Sequence, residues 1–185
     1  MTTRILNLDG HNFKDFPLGG QLNFQRILLS QRYEGVEFSL AGLSSDPNEI
    51  PGSWHTRMIH DNAYSFFSLG ALSRKPTKQR IPISLRYTWG AAYYKAKLLH
   101  YDPELVLYAH NPEVLIPFLK EKHKMIYHVH GTPLHKAANS KYSWFQSGIA
   151  GKLYMSIIER VFQRADHIIW SSRSGLEEAS AFFLT

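Results

Sequence analysis

The sequence predicts an α/β domain of Rossmann-like, doubly wound type: a mostly parallel sheet with helices on both faces. Three observations carry that expectation. Short apolar runs alternate with helix-period stretches along all 185 residues, the pattern of a parallel sheet with crossover helices. The first run is followed by a glycine turn, Pro17-Leu18-Gly19-Gly20, that opens a helix. A later run, Ile126-Tyr127-His128-Val129-His130, stops at Gly131 and delivers a histidine to the carboxyl end of its strand. In open α/β sheets that end is where ligands sit.

The elements follow in order. Arg4 to Asp9 holds Ile5-Leu6-Asn7-Leu8 and reads as a first parallel strand. Gln21 to Arg32 places Leu22, Ile27, Leu28 and Leu29 at helical spacing, and Gly35 ends it. Val36 to Leu40 alternates as a second strand, which completes one strand–helix–strand unit. Asp46-Pro47-Asn48 and Pro51-Gly52 mark a loop over residues 44–52. His55 to Asp61 reads as a short third strand and Ala63 to Leu72 as a short helix. Ser73 to Pro82 is basic, with two prolines, and reads as an exposed connection.

Ile83 to Tyr101 is the longest helical stretch, stopped by Asp102-Pro103. It mixes Tyr87, Trp89, Tyr93 and Tyr94 with Arg86, Lys95 and Lys97. Such a helix either lies on an anionic membrane surface or packs on the core and lets its cations snorkel outward. Leu105 to Ala109 is a buried strand ending at His110-Asn111-Pro112, and Pro112 suits the first turn of a helix over Glu113 to Lys122. Met125 to Val129 is the next strand, and residues 132–147 form a polar, aromatic loop. Lys152 to Arg164 is an amphipathic helix. His167 to Trp170 is the last strand, and Ser171 to Ser174 cap a final helix from Gly175 to about Phe183.

Composition narrows the function. The chain is 44% hydrophobic and 19% charged, enough for a packed core. It has no cysteine, which removes disulfides, thiolate metal sites and thiol nucleophiles. No stretch approaches ~18 apolar residues, so no transmembrane helix is expected. The net charge of +6 favours an anionic partner such as a nucleotide, a phosphorylated substrate or a lipid headgroup. No basic run or binding module points to nucleic acid.

The candidate chemistry lies at strand ends. Gly19 and Gly20 allow a close backbone approach, and the amides opening the next helix attract phosphate. There is no Gly-x-Gly-x-x-Gly fingerprint, no Walker loop and no nucleophile elbow. His128 and His130 share one face of their strand, and with His110 and His135 nearby they suggest a metal site. They match no recognised zinc spacing, so no metal and no resident cofactor is expected. His130, at the strand's exit, is placed to donate a hydrogen bond to a substrate oxygen.

Taken as a set, four stretches resemble the N-terminal domain of a GT-B glycosyltransferase of the retaining family 4 type. They are Leu18-Gly19-Gly20; His110-Asn111-Pro112-Glu113-Val114-Leu115; Tyr127-His128-Val129-His130-Gly131; and the run Ile158 to Ile169, with Arg164-Ala165-Asp166 at its centre, leading to Ser171-Ser172. The resemblance spans nearly the whole chain and implies that residues 1–185 are a Rossmann-like acceptor-side domain. A C-terminal donor-binding domain would lie outside this chain. It further implies a nucleotide-sugar co-substrate, Gly19 and Gly20 at the donor phosphate or sugar, and His130 as the catalytic residue beside the transferred sugar. Transfer would proceed with retention and without an essential metal.

By position at strand ends, Asp9, Asn12, Asn111, Thr132 and Ser172 are expected to bind a glycan or lipid-linked acceptor. The expected setting is cell-surface polysaccharide, lipopolysaccharide or glycolipid synthesis. The expected location is cytoplasmic, with peripheral contact at the inner membrane face. Without its donor half, by this reading, the chain is inactive, and the exposed docking face favours a homodimer. The alternatives are a GT-B nucleotide-sugar epimerase domain and a non-catalytic sugar-phosphate-binding or assembly module.

Overall fold

The computed structural model describes residues 2–17, 19–73, 81–99, 102–130 and 148–183. Strands β1 (Thr3–Leu8), β2 (Val36–Ser44), β3 (Trp54–Ile59), β4 (Asn62–Ala71), β5 (Val106–Ala109), β6 (Met125–Val129) and β7 (His167–Trp170) form one sheet, in the order β3-β4-β2-β1-β5-β6-β7. All neighbours pair in parallel except β3 with β4. The helices are α1 (Gly20–Ser30), α2 (Ile83–Leu99), α3 (Gly148–Arg164) and α4 (Arg173–Phe183), with a 3-10 helix over Pro112–Phe118. This is the doubly wound α/β architecture expected from the alternation of runs.

The two sheet faces are packed differently. One buries a large apolar core: Leu6 and Leu8 of β1, Leu107 and Ala109 of β5, and Tyr127 and Val129 of β6 meet Tyr87, Ala91 and Leu98 of α2, Phe118 of the 3-10 helix and Val161 of α3. On the other face α1 lies over the sheet, and Leu29 joins a smaller cluster with Phe13, Leu40, Ile59 and Phe66. Beside that cluster, under α1, the buried residues are polar, including Asn7, Asp9 and Gln25.

The expected helix over residues 63–72 is a strand, β4. It lies between β2 and β3, so both of its faces are covered: Phe66 and Tyr64 meet the smaller cluster, Phe67 and Leu69 the larger. A run apolar on both sides has no period to separate helix from strand. The deciding feature is the two-residue turn His60-Asp61, with His60 at φ 51°, which pairs β3 with β4 as a hairpin. The expected helix over Glu113 to Lys122 is also corrected, to the 3-10 helix ending at Phe118. Pro117 sits inside it and removes a backbone donor that an α-helix needs.

The Arg164-Ala165-Asp166 stretch has a joining role at the amino edge of the sheet. Arg164 donates to the carbonyls of Glu121 (2.5 Å) and His123 (2.8 Å), and Asp166 accepts from the Met125 amide at 2.8 Å. That backbone donor holds the Asp166 carboxyl below its ordinary pKa. The motif therefore locks the end of α3 against the start of β6.

Gly90 sets how closely α2 meets the sheet. A Cβ there would lie 2.4 Å from the Leu69 carbonyl oxygen and 3.0 Å from its Cβ. Helix propensity alone favours Gly→Ala by about 1 kcal/mol. Gly90→Ala is nevertheless expected to destabilise by ~1–3 kcal/mol through overpacking. Urea denaturation checks the sign; a stabilised variant would mean that α2 stands further from β4.

Candidate functional site

Strand β1 has β2 on one side and β5 on the other. The loops after β1 and β5 therefore diverge, and such a switch point opens a crevice at the carboxyl edge. A pocket of 340 Å³ lies there, lined by Asp9, Gly19, Gly20, Gln21, Asn111 and Glu113 among others. Ile83 and Ser84, where α2 begins, complete its wall, so the amino ends of α1, α2 and the 3-10 helix all reach it. Unpaired amides at helix starts favour an anionic ligand. A cavity of 430 Å³ at the opposite edge, lined by Arg4, Glu37, Ser39 and Asp102, lies at the strand starts, away from this convergence.

Asp9 organises the crevice. It is 2% exposed and acts as an acceptor throughout. Its Oδ1 takes the Gly10 amide at 2.6 Å and faces Asn111 Nδ2 at 3.5 Å. Its Oδ2 takes the side-chain amides of Gln21 and, at 2.9 Å, Gln25. Gln25 in turn accepts from Asn7 at 2.5 Å. Neighbouring His11 places Nε2 3.3 Å from Asp9. Burial pushes the His11 pKa down, and the Asp9 charge only partly offsets this. The contact is therefore a neutral imidazole against a carboxylate rather than an ion pair.

The fold does not demand glycine at 19 or 20. Gly19 has an extended backbone, φ 168°, that any residue adopts, and a Cβ at either position would meet nothing within 4 Å. The space over both glycines is open to a ligand. Gly42 is different: a Cβ there would strike the His11 carbonyl oxygen at 2.2 Å, so β2 can approach the loop after β1 only with glycine at this point.

Other expected site residues take other places. Asn12 is 1% exposed. Its Oδ1 accepts from the amides of Lys14, Asp15 and Phe16 at 2.9–3.0 Å, and its Nδ2 donates to Asp15 and Ser45. Buried Arg57 holds the same loop by donating to the Asn12 carbonyl at 2.6 Å and pairing with Glu49. Ser172 is exposed and accepts the Gly175 amide at 3.1 Å, capping α4. Thr132 and His135 lie outside the described residues.

His130 belongs to a cluster beside the crevice. His110 follows β5, His128 lies on β6 and His130 just after it; their ring centroids are 4.5–5.1 Å apart. Phe24 of α1 turns its edge or face to all three at 4.9–5.6 Å. A hydrogen-bonded chain runs through them: Tyr108 hydroxyl to His128 Nδ1 (2.7 Å), His128 Nε2 to Ser171 Oγ (3.2 Å), Ser171 Oγ to His130 Nδ1 (3.1 Å), and His130 Nε2 to His110 Nδ1 (2.6 Å). Burial lowers the His128 pKa and raises that of Tyr108 beyond its ordinary value, so a neutral Tyr108 remains a donor.

Sequence reasoning did not place Ser171 or Tyr108 in this group. It grouped His110 with His128 and His130 as a candidate metal set and set the metal aside on spacing. The signal was present in the alternation of β5 and β6, whose polar residues Tyr108, His110, His128 and His130 all share one face.

No family model and no curated protein matches the chain. Among solved structures it is similar to sucrose-phosphate synthase from Thermosynechococcus elongatus, with a TM-score of 0.60 and 13% identity over 97% of this chain and 44% of that one. A second structure of the same name and organism gives a TM-score of 0.53 and 12% identity over 96% of this chain and 80% of the other. The chain thus spans less than half of the first neighbour's length. At this identity the likeness carries the fold alone, a Rossmann-like α/β sheet.

His11 makes stability depend on pH. Its folded pKa lies below the ordinary 6.5, so the unfolded chain takes the proton first. The contribution is complete above 6.5 and is lost as pH falls from there through the lower folded pKa. The melting temperature is expected to drop between pH 7.5 and 5.5, and His11→Gln to flatten the slope. An unchanged slope in the variant would show that His11 is not the group responsible.

Proposed function

We propose that this chain is the acceptor-side, N-terminal domain of a GT-B glycosyltransferase of the family 4 type. It would position a glycan or lipid-linked acceptor for sugar transfer from a nucleotide-sugar donor. The observation that carries this reading is the switch-point pocket, where Asp9, Gly19, Gly20 and Asn111 converge with the amino ends of α1 and α2. The GT-B-like fold supports it as well.

In this reading the open backbone at Gly19 and Gly20 approaches the donor diphosphate or sugar. Asn111 offers an amide to an acceptor hydroxyl, and Asp9 fixes both loops rather than reacting. His130 Nε2 accepts a hydrogen bond from a hydroxyl of the transferred sugar, in the tautomer that directs Nδ1–H to Ser171. Transfer proceeds with retention, and the chemical step needs no metal. The donor nucleotide is gripped mainly by a second domain, so this chain alone binds it weakly and transfers nothing. In the enzyme that contains this domain, His130→Ala is expected to lower kcat on the order of 10²-fold while the melting temperature changes little. An unchanged kcat removes His130 from the site. Sugar transfer, or tight saturable nucleotide binding, by the 185-residue chain would overturn the division of labour.

The setting we propose is the inner face of a membrane. No helix among the described residues is long and apolar enough to cross one. On α2, however, Leu85, Trp89 and Tyr93 lie four residues apart and are 45%, 66% and 81% exposed. This places an apolar stripe on one helix face, on a chain of net charge +6. Aromatic residues beside cations suit an anionic headgroup layer. Flotation with anionic liposomes should fall with added salt and with Trp89→Ala/Tyr93→Ala. Equal flotation with neutral liposomes would exclude an electrostatic mode.

A further inference from the structure

We propose that His110, His128 and His130 form a three-nitrogen site for a divalent transition-metal ion of the Zn²⁺ or Co²⁺ kind. The placement comes from the sheet. His128 and His130 are two apart on β6 and share a face, and the pairing of Ala109 with Tyr127 sets His110 beside His128 on the neighbouring strand. One ring nitrogen from each lies within 4.8 Å of one from each of the others. Tetrahedral coordination with Zn–N bonds near 2.0–2.1 Å needs nitrogens about 3.3 Å apart. Small rotations of the imidazoles would draw the wider nitrogen pairs in and part His130 Nε2 from His110 Nδ1, now 2.6 Å apart. Phe24 walls the cluster on the α1 side.

The surrounding hydrogen bonds select the ligand atoms. His128 Nδ1 is held 2.7 Å from the Tyr108 hydroxyl, and Nε2 gives up its longer 3.2 Å contact with Ser171 Oγ to take the ion. His130 Nδ1 lies 3.1 Å from Ser171 Oγ, which leaves Nε2. That Nε2 is 2.6 Å from His110 Nδ1, so in neutral rings the two nitrogens share one proton. An ion between them takes the lone pair of each, and the proton moves by tautomer exchange to the far nitrogen of its own ring, with no net release. His128 then donates through Nδ1–H to the Tyr108 oxygen, and His130 through Nδ1–H to Ser171 Oγ. Ser171 in turn donates to the Val129 carbonyl at 3.0 Å. Two of the three ligands therefore have an acceptor in place for the nitrogen facing away from the metal, the arrangement that fixes ring orientation in protein metal sites. His130 is the one ligand of the three that is not fully buried, and a water could complete the coordination from there.

This inference departs from the metal-free expectation drawn from sequence spacing, because the third ligand comes from another strand. Binding does not rest on the glycosyltransferase reading. One consequence does: an ion on His130 Nε2 withdraws that nitrogen from a sugar hydroxyl, so the metal would inhibit transfer.

The test is a titration of the 185-residue chain with Co²⁺, followed by absorption at 500–650 nm, the region of tetrahedral Co²⁺ (roughly), and competition with Zn²⁺. The expected result is one ion per chain, displaced by Zn²⁺, and a melting temperature that rises with Zn²⁺. His128→Ala and His110→Ala should each weaken binding by about 100-fold or more. Tyr108→Phe and Ser171→Ala should weaken it about 10-fold. His60→Ala, which removes an exposed histidine from the β3–β4 turn, should leave it unchanged. Each variant is checked for folding by circular dichroism, and the wild-type titration stands if a ligand variant fails to fold. Absence of a 1:1 Co²⁺ complex in the wild type overturns the proposal. Binding that survives loss of two of the three histidines does so too.

Discussion

A buried carboxylate holds the crevice open. Burying Asp9 costs several kcal/mol unless donors surround it, and here they come from three elements. The Gly10 amide belongs to the loop after β1, Gln21 and Gln25 to α1, and Asn111 to the loop after β5. Removing any of these elements would leave the charge uncompensated, so the charge ties their positions together. The start of α1, with its two open glycines, is thereby held against the two strand ends that diverge at the switch point. A second anchor works one loop further out, where buried Arg57 joins the Asn12 carbonyl, Glu49 and the face of Phe66. Asn12 then spends its own side chain on the loop amides. This is why its place at a strand end gives it a scaffold role in the structure.

The fold was legible wherever one period dominated. The first strand, α1, α2, α3 and the last three strands were readable because each shows one helical stripe or one short apolar run. Residues 63–72 were not readable in that way. Phe66 and Phe67 point to opposite faces of β4, and both faces are covered, so adjacent apolar residues look the same in a strand as in a helix. The hairpin turn that decides between them uses His60 and Asp61, without the glycine that marks most such turns. Pro117 stands inside the stretch read as a helix after β5, and its missing backbone donor was not weighed against the apolar spacing.

The site was legible as positions and not as a network. Asp9, Gly19, Gly20 and Asn111 follow from the rule that ligands sit at carboxyl edges, and these four line one pocket. Ser171 could be read as a helix cap, and it follows β7 at the same edge. That it also reaches back to two histidines on β6 requires the β6–β7 pairing, which brings Val129 beside Trp170. His110 required the β5–β6 pairing in the same way. Such links join residues about 20 to 40 positions apart, and no local pattern contains them.

One pattern in the strands points beyond scaffolding. In a parallel sheet covered by helices, both faces of a central strand are ordinarily apolar. Here the carboxyl halves of β1, β5 and β6 are apolar toward α2 and α3, with Leu6 and Leu8, Leu107 and Ala109, Tyr127 and Val129. Toward α1 they present Asn7 and Asp9, Tyr108 and His110, His128 and His130. Each buried polar group must find a partner or cost about 1–3 kcal/mol, and a fold alone gains nothing from six of them side by side. Helix α1 answers in kind: Gln21 and Gln25 meet the carboxylate, and Phe24 meets the imidazoles. The helix and the three strands therefore share one polar layer that runs from the open glycines to His130. A layer so costly to bury points to its open edge rather than to the stability of the sheet.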